Sequence, residues 1–206
     1  MIVVDVETSG VNAKKHSIVS LGAIDFFNPS NTFYEECRIW DGAHIMNEAH
    51  GDMKPVQEIN GLSPEQMMDP QKQTVGELIQ HFKEWTTTCK DVIFAGHNPS
   101  FDVEFITDSI DRFNIEWSLP RRTIDQHSIC YAHMLAHGVE PPQRNGKSFL
   151  NSDIVMEYVG IPTEPKPHIA LNGALWEAEA LSRLIFGRNL LEQFKKYPVP
   201  DFKGQK

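Results

Sequence analysis

The chain has 206 residues, of which 40% are hydrophobic, and this fits one globular domain over residues 1–206 with a single buried core. Three widely spaced cysteines argue against a disulfide framework, and no apolar run is long enough to cross a bilayer, so we expect a cytoplasmic protein without a membrane partner. A formal net charge of -9 excludes a broad electrostatic attraction for nucleic acid, unless bound metal ions reverse the sign locally.

The first informative segment is residues 2–10, IVVDVETSG, which sets two acids in an apolar, β-branched run. Such a run is typical of a buried strand. Because side chains alternate between the faces of a strand, we expect Asp5 and Glu7 on the same face near its carboxyl end. Neighbouring carboxylates are ligands that hard divalent metals prefer, although an acidic strand end in solvent explains this segment alone equally well.

Further strands are predicted at 17–27 and 32–39, which flank the turn sequence NPSN, and at 91–95. Residues 40–73 read as a long connection with one short helix. Strands that come first and then alternate with helices indicate a mixed α/β sheet covered by helices.

Apolar residues at helical spacing predict helices at 75–86, from an N-cap at Ser100 to Phe113, and at 126–137, 148–158 and 172–195. The last of these carries a break signal at Gly187. Residues 187–206 are therefore expected to form a C-terminal helix and tail.

A second acidic candidate lies in the sequence GHNPSFD of residues 96–102, where a strand is followed by a helix. Asp102 falls in the first turn of that helix, where the helix dipole favours an acid. A third segment begins with His168 and leads into an Ala-, Leu- and Glu-rich helix. A histidine titrates near neutral pH, which suits it to proton transfer.

Together these segments resemble the DEDDh 3′–5′ exonucleases, the family of the bacterial polymerase's proofreading subunit, ribonuclease T and oligoribonuclease. The family motif acid-x-Glu-Thr-x-Gly matches residues 5–10, and Gly-His-Asn-x-x-Phe-Asp matches residues 96–102. Residues 59–63, INGLS, look like the family's Ile-x-Gly-Ile-Thr segment, and His168 begins its third motif. Any one match is weak, whereas all of them in order are strong evidence.

The resemblance implies an α/β, ribonuclease-H-like fold, with a mixed central sheet and helices on both faces, and cleavage with two Mg²⁺ or Mn²⁺ ions. By this likeness Asp5 bridges both ions, and Glu7 holds the ion that carries the attacking water. Asp102 holds the ion beside the leaving 3′ oxygen, and His168 accepts the proton of the water. The residues implied to bind the terminal nucleotide are Thr8, Ser9, Asn98 and Phe101.

The pattern departs from the family at one position, because the aspartate expected five residues after the histidine is Gly173. The chain is either an engineered inactive version, a natural degenerate member that binds nucleic acid without cutting it, or a protein in which a nearby acid substitutes. Glu177, one helical turn after Gly173, is the best substitute, although a solvated helix glutamate is the commoner situation. Loss of a metal ligand predicts weakened activity.

We therefore expect a metal-dependent 3′–5′ exonuclease that releases nucleoside monophosphates from single-stranded DNA or RNA ends and is weakened by Gly173. It would act alone, as a homodimer, or within a polymerase or repair complex. The alternative is a catalytically inactive nucleic-acid-binding module or scaffold with an exonuclease fold. Gly173 and the net negative charge of the chain favour it. A small-molecule phosphatase with a similar metal pair is a third possibility.

Overall fold

A five-stranded mixed sheet forms the centre of the computed structural model, which describes residues 1–49 and 54–202. Its strands run in the order β3-β2-β1-β4-β5. They are β1 (Ile2–Thr8), β2 (Ile18–Asp25), β3 (Thr32–Glu36), β4 (Phe94–Gly96) and β5 (Ile124–Asp125). Strand β1 pairs antiparallel with β2 and parallel with β4, so it lies in the middle of the sheet.

Seven α-helices connect and cover these strands in the described part of the chain. They are α1 (Val56–Asn60), α2 (Pro64–Met67), α3 (Val75–Thr86), α4 (Ser100–Arg112), α5 (Gln126–Ala136), α6 (Ser152–Tyr158) and α7 (Ala170–Phe186). A small hairpin of β6 (Gln143–Arg144) and β7 (Lys147–Ser148) lies between α5 and α6, and a 3₁₀ turn spans Glu192–Phe194. None of the helices in the described ranges is both long enough and apolar enough to cross a membrane.

Helices pack on both faces of the sheet, as predicted. Alternate residues of β1 separate the two faces, because Ile2, Val4 and Val6 pack with α3 and α4, whereas Val3 packs with α7. The face toward α7 is therefore also the face of Asp5 and Glu7.

Helix α7 crosses β2 at short range because Gly22 has no side chain. A Cβ atom placed at Gly22 would lie 2.2 Å from the carbonyl carbon of Ala170 and 2.2 Å from the amide nitrogen of Leu171. Both atoms belong to the backbone at the start of α7, so the helix itself would have to move. This close approach places the first turns of α7, including Gly173, over the central strands.

The structure corrects several predicted boundaries. The connection over 40–73 contains two short helices, α1 and α2, where one was expected. Ser100 is the first residue of α4 and not its N-cap, since Pro99 is already helical and the Ser100 hydroxyl donates to Asn98 Oδ1 at 2.8 Å. Helix α6 begins at Ser152, because Asn151 caps it by accepting from the Ile154 amide at 3.0 Å.

The C-terminal helix is also shorter than predicted. Helix α7 ends at Phe186, where Gly187 adopts a left-handed conformation with φ of 63°. Residues 187–202 hold only the 3₁₀ turn, so the prediction of a helix there is wrong. The part of that prediction that concerns residues 203–206 lies outside the described residues.

A fully buried ion pair between Glu179 and Arg183 fastens the segment after α7. Arg183 Nε donates to Glu179 Oε1 at 2.8 Å. The other guanidinium nitrogens donate to the carbonyl oxygens of Val159, Phe194 and Tyr197. The second Glu179 oxygen accepts from the amides of Leu190 and Leu191. The ion pair thus joins α7, the end of α6 and the C-terminal segment.

Candidate active site

The carboxyl end of β1 carries two acids on one face, as its sequence predicted. Glu7 is buried and Asp5 is partly buried. Both line a cavity of about 220 Å³ between β1 and α7, and Gly173, Glu177 and His168 also line it. The first and third motif segments are therefore brought together.

Asp102 lies near the acids of β1 because β4 is shorter than β1. The last paired residues of β1 and β4 are Val3 and Ala95, so β4 does not extend alongside Val6. The Val6 amide instead donates to Asp102 Oδ1 at 3.0 Å. An acid in the first turn of α4 thereby sits beside Asp5 and Glu7.

Glu177 is buried, so its interpretation as a solvated helix residue is wrong. Only 7% of it is exposed, and its Oε2 accepts from the His97 amide at 3.1 Å. It lines the cavity together with Asp5 and Glu7. This location keeps Glu177 as a candidate substitute for the missing aspartate, on the side of the site next to α4.

Gly173 lies against Asp5. A Cβ atom placed at Gly173 would be 2.2 Å from Asp5 Oδ2 and 2.8 Å from Asp5 Cγ. The Asp5 carboxylate therefore occupies the space into which a side chain at position 173 would project. An aspartate fits there only if Asp5 turns away.

Burial raises the pKa of each acid in this group. It is the main reason that the pKa of Glu7 rises to about 8 and that of Asp102 to about 7. Burial also raises the pKa values of Asp5 and Glu177 well above their usual range, and repulsion by Glu7 adds to the shift at Asp5, as repulsion by Asp102 does at Glu177. Among the described residues, no Lys, Arg or His forms an ion pair with any of these acids. Protons or an external cation must neutralise them.

The donor chemistry of this group fits a hard divalent cation, because Mg²⁺ and Mn²⁺ prefer carboxylate oxygens. The side chains do not yet converge, since over residues 1–49 and 54–202 no set of three or more His, Cys, Asp or Glu surrounds a common metal position. Asp102 is turned toward the Val6 amide and Glu177 toward the His97 amide. These two acids would have to turn from the amides to share a cation with Asp5 and Glu7.

His168 is positioned by the segment that resembles the family's Ile-x-Gly-Ile-Thr sequence. Its amide donates to the Ile59 carbonyl at 2.9 Å, and Asn60 Nδ2 donates to the Thr8 carbonyl at 3.2 Å. Gly61 has φ of 73°, and a Cβ atom there would lie 2.8 Å from Pro167 Cβ. Residues 59–61 therefore join the end of β1 to the loop that carries His168, a role that sequence alone did not reveal.

A second cavity of about 540 Å³ adjoins the acidic one, and Glu7 and His168 line both. Thr8 and Phe101 line this second cavity, as do Met46, Lys54 and Lys166. Ser9 and Asn98 line neither. The Ser9 hydroxyl is fully buried and donates to the His44 carbonyl at 2.7 Å, while the Asn98 amide donates to Asp125 Oδ1 at 3.1 Å.

Glu164 is an acid of this site that sequence reasoning missed. It lines the acidic cavity, and its Oε2 lies 3.4 Å from His168 Nδ1. Burial raises its pKa to about 7. No motif includes it, and its only local signal is its place between Pro162 and Pro167, in the loop that precedes His168.

The sequence matches the ribonuclease T model of exonucleases over residues 2–179. A 3′-5′ DNA exonuclease, Cap18 of Escherichia coli, is 34% identical over 107 residues, which are 50% of this chain and 52% of that protein. Ribonuclease T of Vibrio vulnificus is 26% identical over 125 residues, 56% of either chain. A PolC-type DNA polymerase III of Streptococcus pyogenes is 24% identical over 90% of this chain but only 11% of its own length. The chain thus aligns with about half the length of the first two relatives.

Solved nuclease structures share the fold. Cell-death related nuclease 4 superposes with a TM-score of 0.69 and 17% identity, over 96% of this chain and 65% of that one. Escherichia coli exonuclease I in complex with a dA16 oligonucleotide gives a TM-score of 0.63 at 17% identity, over 91% of this chain and 40% of that one. These superpositions confirm the predicted ribonuclease-H-like architecture.

Proposed function

Because the chain belongs to the ribonuclease T family of exonucleases, we propose that it is a metal-dependent 3′–5′ exonuclease that releases nucleoside monophosphates from single-stranded ends. The observation that carries this proposal is the group of acids at the end of β1, which lack a cationic partner among the described residues. A group of this kind is stable at neutral pH when divalent cations share its charge.

Each residue of the group has a distinct proposed role. Asp5 and Glu7 would hold Mg²⁺ or Mn²⁺ from β1, and Asp102 would contribute a ligand from α4. The chemistry that such a cation would supply is neutralisation of the scissile phosphate and easier ionisation of water. His168 accepts the proton of the attacking water, since it lines the cavities of both the acids and the proposed nucleotide site.

The larger cavity is the proposed site of the terminal nucleotide. Phe101 and Met46 offer apolar surface against which a base can stack, and Lys54 and Lys166 offer positive charge to phosphates. Exonuclease I, a structural relative, was crystallised with a single-stranded oligonucleotide, which supports a single-stranded substrate. The cavity residues favour neither DNA nor RNA, so both are to be tested.

Gly173 is expected to weaken the nuclease, and Gly173→Asp is expected to strengthen it. Restoring one metal ligand should raise Mn²⁺-dependent activity about 10- to 100-fold, the range by which metal-site changes commonly act. The assay follows a 5′-labelled single strand, as DNA and as RNA, with Mn²⁺, Mg²⁺ or EDTA. Stepwise shortening from the 3′ end gives a ladder of labelled products, whereas digestion from the 5′ end releases the label at once.

Gly173→Ala is the matched control, because it adds the Cβ atom that meets Asp5 without adding a carboxylate. We expect it to be no more active than the parent chain. Asp5→Asn should be inactive in every background. If Gly173→Asp and Gly173→Ala behave alike, the glycine is not the site of a lost ligand, and Glu177→Gln then tests whether Glu177 serves instead.

A second candidate function is a nucleic-acid-binding module that does not cut. Its supporting observation is the Asp5 carboxylate, which occupies the space of the missing side chain. Binding of a single strand, without cleavage by either the parent chain or Gly173→Asp, would favour this candidate. The likeness to a PolC-type polymerase supports a polymerase as a partner, and a repair complex and a homodimer are the other proposed assemblies.

A further inference from the structure

His168 has an acidic neighbour on its Nδ1 side. Glu164 Oε2 lies 3.4 Å from His168 Nδ1, an ion-pair contact slightly long for a hydrogen bond. The Glu164 side chain is only 13% exposed and that of His168 is 32% exposed. In the described part of the chain, no other acid lies within ion-pair distance of this histidine.

Both members of the pair are anchored. The Ile169 amide, at the start of α7, donates to Glu164 Oε1 at 3.3 Å. The His168 amide donates to the Ile59 carbonyl at 2.9 Å. One Glu164 oxygen is thus fixed by the helix start, and the other faces the imidazole.

We propose that Glu164 is a positioning residue, which accepts a hydrogen bond from Nδ1–H of His168 and so leaves Nε2 free to take a proton. A neutral imidazole carries one proton, on either Nδ1 or Nε2. A carboxylate next to Nδ1 accepts a hydrogen bond from Nδ1–H and so stabilises the tautomer in which Nε2 is the basic nitrogen. This inference rests on the proposed role of His168 as the proton acceptor.

Other charged groups near His168 do not fill this role. Asp153, on α6, raises the pKa of His168, while burial and Lys166 lower it, with burial the largest cause. Asp153 does not lie within ion-pair distance of the ring, and the Lys166 ammonium cannot accept a hydrogen bond from Nδ1–H. Only Glu164 combines proximity with an anchored carboxylate among the described residues.

The main rival is that Glu164 replaces the carboxylate missing at Gly173 as a metal ligand. It lines the same cavity as Glu7 and repels it, which makes this role reasonable. Both Glu164 oxygens already face a donor or the imidazole, however, so ligation would break the contacts that hold it. The rival predicts a different measurable change.

The test compares Glu164→Gln with the parent protein by ¹⁵N NMR of labelled histidines, and His168→Gln assigns the signals. At about pH 8 with Mg²⁺, above the pKa of Glu164, the parent should show the Nδ1–H tautomer. Glu164→Gln should shift the population toward Nε2–H, because the glutamine oxygen accepts from the Ile169 amide and its NH₂ group then faces Nδ1 and donates to it. Asp153→Asn is the matched control and should leave the tautomer unchanged.

Two further measurements make the result decisive. Mn²⁺ affinity, from calorimetric titration, should stay within about twofold in Glu164→Gln, while any nuclease activity falls about 10- to 100-fold, as for other positioning groups around metal sites. An unchanged tautomer overturns the proposal, and an unchanged tautomer with a tenfold loss of Mn²⁺ affinity establishes the rival. The NMR spectrum and the Mn²⁺ titration can both be recorded on a protein without nuclease activity. A negative result for Glu164 can therefore be distinguished from a negative result for the proposed exonuclease function.

Discussion

The metal-free protein is expected to lose stability as the pH rises from about 5 to about 8, and Mn²⁺ is expected to restore it. Glu7, whose pKa rises from 4.5 to about 8 on folding, binds its proton more tightly in the folded chain. Its contribution is therefore fully present below its unfolded pKa and is lost as the pH approaches about 8. Asp102, with a folded pKa of about 7, acts in the same direction.

The expected loss of stability between pH 5 and pH 8 is large for a single group of acids. One pKa unit corresponds to ~1.4 kcal/mol, so the shift of Glu7 alone amounts to a loss on the order of several kcal/mol. Asp102 repels Glu7, so the two contributions do not simply add. A divalent cation competes with protons for the same carboxylates and binds only the folded arrangement, so its stabilising effect is greatest at high pH. Thermal unfolding with EDTA or with Mn²⁺, at several pH values, measures the difference.

Two glutamate-to-glutamine variants serve as comparisons in the pH-stability experiment. Glu7→Gln removes a titrating acid from the site and should flatten the pH dependence and reduce the effect of Mn²⁺. Glu192→Gln removes an acid whose side chain is 85% exposed, and it should change neither. A metal-free protein that is equally stable at pH 5 and pH 8 would contradict the proposed role of these buried acids.

Replacing Arg183 with methionine is expected to lower the free energy of unfolding by about 3–5 kcal/mol. The substitution leaves the Glu179 carboxylate buried without its partner and removes the donors to several carbonyl oxygens. For a chain of this length, such a loss lowers Tm by roughly 6–20 °C. Denaturant unfolding gives the free energy, and hydrogen exchange should show the largest changes over residues 188–198.

The double variant Arg183→Met, Glu179→Met separates the two causes. It also removes the Glu179 carboxylate, which Arg183→Met leaves buried and unpaired, so the double variant should be less destabilised than Arg183→Met alone. Lys195→Met breaks the exposed ion pair with Glu192 and should cost at most about 1 kcal/mol. A loss of less than about 1 kcal/mol in Arg183→Met itself would show that this ion pair does not fasten the C-terminal segment.

Sequence reasoning succeeded where the signal was local. The alternation of side chains along β1 sufficed to place Asp5 and Glu7 on one face, and the apolar spacing of residues 75–86 gave α3 its correct bounds. The helix start at Ser100 was misjudged because Asn98, with φ of 60°, and Pro99 turn the chain one residue earlier. Capping depends on backbone angles that composition does not specify.

The remaining features depend on parts of the chain that are far apart in sequence. Glu177 is buried because α7 lies close over the sheet and the His97 amide is in reach of its carboxylate, and neither fact is visible within α7. Glu164 reaches His168 through the fold of a loop that lacks regular structure. The motif around Gly61 was recognisable, but its function in holding the His168 loop requires the contact with Pro167.

That contact also constrains how the family can vary. Gly61 and Pro167 lie more than a hundred positions apart, yet a side chain at the first would occupy the space of the second. Neither residue meets the reacting groups in the proposed chemistry, so a change at either should act by displacing the histidine. We expect the two positions to coevolve among relatives, with a bulkier residue at one tolerated only when the other changes as well.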